Sequence, residues 1–172
     1  MRMRRNRSTK RQRRRIVAAI LLVVLIGMAG LTARAGKAQT GTFPLKSGWR
    51  VSDPYGWRED PFTGKTTFHR GIDLACGEGT PVVAVLDGVA SQARTSSSYG
   101  NVLRLCHKDG QETVYAHLQY LFVRPGEVVH AGQTIGTAGQ TGRATGSHLH
   151  FELWSQGSPH DPAEIINMTL PS

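Results

Sequence analysis

From Gly48 onward, short runs of β-branched and aromatic residues are interrupted about every eight to twelve residues by Gly, Asp, Asn or Ser. PVVAV (81–85), NVLRLCH (101–107), ETVYAHL (112–118) and HLHFELW (148–154) are such runs. Branching at Cβ stiffens χ1 and suits a pleated surface better than a helix. After residue 35, no amphipathic stretch exceeds about three helical turns. The chain's 20 glycines and 8 prolines supply tight turns rather than long helices. This pattern predicts an all-β domain, largely antiparallel. One short helical turn is expected at DPAEIIN (161–167), with Asp161 as its cap and Pro162 at its first position.

A net charge of +9 would suit a nucleic-acid partner were it spread over the fold. It is not. Residues 1–15 carry nine of the 21 Lys and Arg and no acid, which leaves twelve basic side chains against twelve acidic ones elsewhere. Residues 16–33, IVAAILLVVLIGMAGLTA, contain no charge and precede Ala33-Arg34-Ala35. A basic n-region, an apolar core and small residues at a cleavage site describe an export signal. The same ~18 apolar residues reach the lower limit for one membrane anchor, with the basic arm held in the cytoplasm by the positive-inside rule. Either way the remainder is expected outside the inner membrane, in the periplasm or cell envelope, with no nucleic acid as partner. The expected organisation is a basic arm (1–15), a signal or anchor helix (16–35), a linker (36–47), a β domain (48–166) and a tail (167–172). Cys76 and Cys106 could close one disulfide in an oxidising compartment or remain two buried thiols.

The chemistry sits in the histidines. His148 and His150 are one residue apart in a predicted strand, and i, i+2 spacing puts both on one face. FHRGIDLA places His69 four residues before Asp73, a spacing that shares a face of a helix or of a strand. Gly71, and Ile72 and Leu74 alternating with Asp73, favour a single strand. YAHL adds His117 at the end of a third β run. A catalytic zinc site keeps three protein ligands and one open position. Two of these four His and the one Asp would make that set, leaving two imidazoles to handle protons. A structural zinc site would close with a fourth ligand, typically Cys, and neither cysteine lies in a C-x2-C pair. The helical H-E-x-x-H zinc motif is absent.

In this order on β-strands the motifs resemble the lysostaphin/LytM-type zinc metallopeptidases, which cut peptide cross-links in bacterial cell walls. The resembling text runs from GWRVSDPYGWREDPFTG through FHRGIDLACGEGTPVVAVLDGVA, YGNVLRLCHKDG, YAHL and GEVVHAGQTIGTAGQTGRATGSHLHFELW, roughly residues 48–164. The resemblance implies an antiparallel β-sheet with a substrate groove across it. It implies one Zn2+ per chain held by His69, Asp73 and His150, with His117 and His148 as the catalytic pair. The implied activity is hydrolysis of peptide bonds in peptidoglycan stem peptides or cross-bridges by a metal-activated water. Other expected partners are the membrane, through an uncleaved N-terminal segment, and other cell-envelope proteins. Similar domains that lack ligands act as non-catalytic wall-binding activators, whereas all five positions are filled here.

His107, His130 and His160 are expected to be structural or solvent-facing, because nothing near them completes a ligand set. Asp53, Glu59, Asp60 and Glu152 would matter to a glycosidase, which needs paired carboxylates. Glu152, two residues beyond His150, is placed where a carboxylate can orient a metal-bound imidazole. GEVVHAGQTIGTAG also resembles the turns of lipoyl and biotinyl carriers, but no lysine follows Lys108 to carry a cofactor.

Overall fold

The computed structural model describes residues 41–166. The expected basic arm, the signal or anchor segment, residues 36–40 and the tail lie outside them. Twelve strands run along the described chain: β1 (Trp49–Asp53), β2 (Gly56–Glu59), β3 (Thr66–His69), β4 (Ile72–Cys76), β5 (Pro81–Val83), β6 (Gly88–Ser96), β7 (Gly100–His107), β8 (Gln111–Leu121), β9 (Val128–Val129), β10 (Thr134–Ala138), β11 (His148–Ser155) and β12 (Ser158–His160). Ten of them form one antiparallel sheet whose main path is β1-β4-β11-β8-β7-β6-β9, with β10 joining β8 to β5 and β12 flanking β11. β2 and β3 form a separate hairpin.

Alternation assigns the two faces of the central strands. Leu149, Phe151 and Leu153 of β11, Leu74 of β4, Tyr115 of β8 and Leu103 and Leu105 of β7 are buried in one core. The opposite face of β11 presents His148, His150, Glu152 and Trp154, and His150 pairs with Asp73 on one side and Ala116 on the other. The domain begins earlier than its composition suggests. Leu45, inside the expected linker, is only 1% exposed, and Phe43 stacks on Trp49 at 4.1 Å. Gly41 bridges Ile166, tying the start of the described chain to its end.

The expected C-terminal turn forms as a single 3-10 turn, Pro162–Glu164, capped by Asp161 accepting from the Ala163 amide. Both cysteines are free. They lie on β4 and β7, which β11 and β8 separate. Three strand spacings of about 4.8 Å put them far beyond the reach of a disulfide.

Candidate metal centre and groove

His69 and Asp73 do not share a strand. His69 ends β3 in the hairpin, and Asp73 lies in β4 of the large sheet. The chain crosses between the sheets at Arg70-Gly71, directly against β11. A Cβ on Gly71 would sit 2.3 Å from the Phe151 carbonyl oxygen. The glycine that reads as part of a continuous strand is therefore the crossing point. By folding His69 back over the sheet, it lets a hairpin residue meet Asp73 and His150.

His117 departs from expectation in another way. It lies within β8 rather than at its end, and it adopts φ 59°, rare for a residue with a side chain. The β7–β8 register slips between Asn101 and Leu103. Tyr115 and Leu118 both enter the core, so Ala116 and His117 form a bulge of the kind that re-aims a side chain. The bulge turns His117 toward the groove, beside His148, with ring centroids 4.6 Å apart.

Each of the four imidazoles has one nitrogen tied down. Nδ1 of His69 meets the Pro54 carbonyl at 2.8 Å, Nδ1 of His117 the Thr141 carbonyl at 2.7 Å, and Nδ1 of His148 the Gly146 carbonyl at 2.8 Å. Nε2 of His150 meets Glu152 Oε1 at 2.9 Å. These partners only accept, so each tied nitrogen carries a proton, and the other nitrogen is the one turned to the groove. The free nitrogens face inward. His69 Nε2 lies 3.1 Å from His150 Nδ1, and Asp73 Oδ1 lies 2.7 Å from His150 Nδ1 and 3.3 Å from His69 Nε2.

Three ligand atoms within 4.8 Å of one another fit a metal ion, which would take the place of the proton that His150 Nδ1 shares with Asp73. A tetrahedral ion with nitrogen and oxygen bonds near 2.0–2.1 Å separates its ligands by about 3.3 Å, close to the spacings seen. The electrostatics agree. Burial alone would raise the Asp73 carboxyl, but hydrogen bonds from His150 and His69 hold it well below the usual carboxylate range. Burial also opposes charge on His150, yet Asp73 and Glu152 on either side raise its pKa to about 9. This is a place that attracts a positive charge.

Behind His150 stands a buried carboxylate. Glu152 is 1% exposed and also receives Tyr99 Oη at 2.7 Å and Trp154 Nε1 at 2.6 Å. With burial pushing it upward, these donors and His150 still hold its carboxyl low. Burial and adjacent Glu152 push the Tyr99 phenol up, so it remains a donor. Tyr99 gave no sign of this in the sequence, since 53 residues separate it from Glu152.

The five side chains line a groove of about 310 Å³, flanked by Phe62, Phe68 and Arg143. None of residues 41–47 lines it, and neither do His107, His130 or His160. His107 instead bridges the Asp87 carbonyl and Thr113.

An open β groove with three converging metal donors, and two further imidazoles pinned beside them, has the composition of a hydrolytic metal centre. The model of peptidase family M23 matches residues 67–162, and the chain belongs to that family. It is 40% identical over 118 residues to the peptidoglycan DD-endopeptidase ShyA of Vibrio cholerae, covering 68% of this chain and 27% of that protein. A zinc-containing peptidase of Vibrio cholerae superposes with a TM-score of 0.66 at 34% identity, over 75% of this chain and 40% of that one. The catalytic domain of the antimicrobial peptidase lysostaphin from Staphylococcus simulans superposes at 0.61 with 34% identity, over 67% of this chain and 90% of that domain. The lysostaphin-type fold expected from the sequence is thus found. The chain spans about a quarter of the length of the first curated relatives it matches.

Proposed function

We propose that this protein is a zinc-dependent endopeptidase that hydrolyses peptide bonds in the stem peptides or cross-bridges of peptidoglycan. The observation that carries this reading is the convergence of His69 Nε2, Asp73 Oδ1 and His150 Nδ1 beside the free Nε2 atoms of His117 and His148. His69, Asp73 and His150 would hold the ion. Bound zinc supplies a Lewis acid and a water acidic enough to act near neutral pH.

The chain's own residues do the rest. His117 and His148 present unprotonated Nε2 atoms to the groove, each able to take a proton from an attacking water and return it to a departing amine. Once protonated, either ring becomes a cationic donor to the oxyanion of a tetrahedral intermediate. Their pinned Nδ1 atoms keep the rings from turning between these tasks. Glu152 holds the Nε2 proton of His150, which would leave Nδ1 to the ion, and its burial excludes water from behind the ring. The open groove admits an extended peptide, which can lie along the exposed main chain.

Similarity to a peptidoglycan DD-endopeptidase of Vibrio cholerae supports peptidoglycan as substrate, and likeness to a peptidase that contains zinc supports that metal. The charge-free segment 16–33 supports an extracytoplasmic location, where that polymer lies. A silent wall-binding or activator domain would have no need of five complete positions with fixed tautomers. The test is digestion of purified peptidoglycan with the zinc-loaded protein, followed by mass spectrometry of the released muropeptides. New amino termini that appear with zinc and vanish with a chelator are expected. Intact muropeptides from a correctly folded, zinc-loaded protein would leave the binding-domain reading in its place.

A further inference from the structure

The groove has two walls from distant parts of the chain. One is the turn after β2, at Asp60–Lys65, and the other is the β10–β11 loop at 139–147. A single side-chain cluster joins them. Arg143 places Nη2 2.8 Å from Asp60 Oδ1 and Nη1 3.1 Å from Asp60 Oδ2, while its guanidinium lies over the Phe62 ring, 4.2 Å from the centroid. Asp60 Oδ1 also accepts from the amides of Phe62 and Thr63 and from the Thr63 hydroxyl. One carboxylate therefore shapes the turn that presents Phe62 and grips the arginine stacked on it. Exposed ion pairs usually contribute little. A bidentate guanidinium on a carboxylate already fixed by its own turn is of the geometrically specific kind.

The loop that Arg143 belongs to supplies both carbonyls that pin the groove's free imidazoles, but its two halves are held differently. The inner half is locked. Thr141 Oγ1 donates to the Leu118 carbonyl and accepts from the Asn101 amide, and Gly142 packs so closely on Gly100 that a Cβ there would meet its amide nitrogen at 2.2 Å. The Thr141 carbonyl on His117 is thereby fixed by the sheet itself. The outer half has far less. Among the described residues, 144–146 make no backbone hydrogen bond to another segment, and the Gly146 carbonyl is used by His148 alone. Before them the Arg143 amide donates to the Ser98 carbonyl at 2.9 Å while its side chain reaches Asp60. After them the Ser147 carbonyl accepts from the Cys76 amide at 3.4 Å and the His148 amide donates to the Gly139 carbonyl at 3.1 Å, so the span 144–146 itself is held only through its ends.

We propose that the Asp60–Arg143 pair is a latch across the groove that positions His148, by holding the outer half of the loop so that the Gly146 carbonyl keeps the ring in its Nδ1–H tautomer. Both are positioning residues, acting through the loop rather than on substrate. The inference rests on the proton-handling role given to His148 above. His117, held by the inner half, is the internal control.

The experiment uses the full chain loaded with zinc, comparing wild type with Arg143→Ala and Asp60→Asn. Asparagine at 60 still caps the turn but no longer offers a charged, bidentate partner. Long-range nitrogen–proton spectra of the imidazoles report each tautomer, alongside bound zinc, kcat and KM on a muropeptide. In both variants His148 is expected to lose its single Nδ1–H signature while His117 keeps its own and zinc stays bound. A shift of the ring by about 1 Å should lower kcat by roughly tenfold to a hundredfold with KM little changed. An unchanged His148 spectrum would overturn the latch, and so would equal loss at His117, which marks a general loosening. A rise in KM alone would make the pair a groove wall instead. Failure of the wild-type protein to cleave any muropeptide would count against the proposed peptidase, while the tautomer spectra would still decide the latch.

Discussion

Glu152 Oε1 and His150 Nε2 are joined at 2.9 Å across one strand repeat, the carboxylate lying behind the imidazole and the candidate ligand atoms of His69 and Asp73 in front. Three donors converge on Glu152, from His150, Tyr99 and Trp154. A glutamine there would bring an amide NH2 into a shell made only of donors, so at least one hydrogen bond must break. Glu152→Gln is expected to weaken zinc about 10- to 100-fold, as removal of such partners does elsewhere, and to cost about 1–3 kcal/mol of stability. Competition against a chromophoric chelator measures the first and urea unfolding the second. Unaltered zinc affinity would show that Glu152 is only a core polar group.

On the proposed mechanism the five groove residues divide into two sets with different expected losses. Asp73→Ala removes the one carboxylate among the three converging donors, so bound zinc and hydrolysis should vanish together. His148 Nε2 stands 3.8 Å from Asp73 Oδ1, farther out than the other two rings. His148→Ala is therefore expected to retain zinc while turnover drops by about 10²–10⁴-fold, the usual span for a lost acid–base group. Metal analysis of the purified variants, set against amine release from peptidoglycan, separates the two outcomes. A fully active His148→Ala protein would contradict the division.

Gly71 makes a sharper structural prediction. With its Cβ position 2.3 Å from the Phe151 carbonyl oxygen and 2.9 Å from Glu152 Cγ, alanine must push the crossing away from β11. That displacement separates His69 from Asp73 and His150 without altering any ligand. Gly71→Ala should lose about 1–3 kcal/mol by overpacking and bind zinc more weakly, as read by urea unfolding and zinc titration. Wild-type zinc affinity in this variant would mean that the crossing does not set the ligand geometry.

How far the sequence reveals this arrangement depends on how local each feature is. The shared face of His148 and His150 follows from strand alternation alone, and the structure has it. The Asp161 cap and Pro162 turn are equally local and form as expected. His69 and Asp73 show where such reasoning stops. Even spacing and alternation read as one strand, while the close approach that breaks it involves Phe151, eighty residues later. The bulge at His117 is likewise set by pairing with β7, and neither that register slip nor the Thr141 and Gly146 carbonyls leave a mark in side-chain identities. Leu45 was hidden for a different reason: one apolar residue among Gly, Thr and Pro does not read as core, yet it pairs with Val82.

His117 carries a pH signature that can be measured without metal or substrate. Burial, chiefly, and the neighbouring imidazoles lower its pKa to about 4, against a smaller upward pull from the Thr141 carbonyl. In the unfolded chain the ring titrates near ~6.5. Above that pH the ring is neutral in both states and adds no pH dependence. As pH falls from about 6.5 toward 4, the unfolded chain takes up a proton that the folded protein refuses, so stability drops by about 3 kcal/mol and then levels off. Metal-free His117→Gln lacks this group. Its urea-unfolding free energy should therefore decline less steeply than that of metal-free wild type across the same window, by about that amount. Parallel declines would mean that the folded ring titrates normally. In that case His117 would not hold its unprotonated Nε2 in reserve through the mildly acidic range, as a ring that accepts a proton from water in the groove must do.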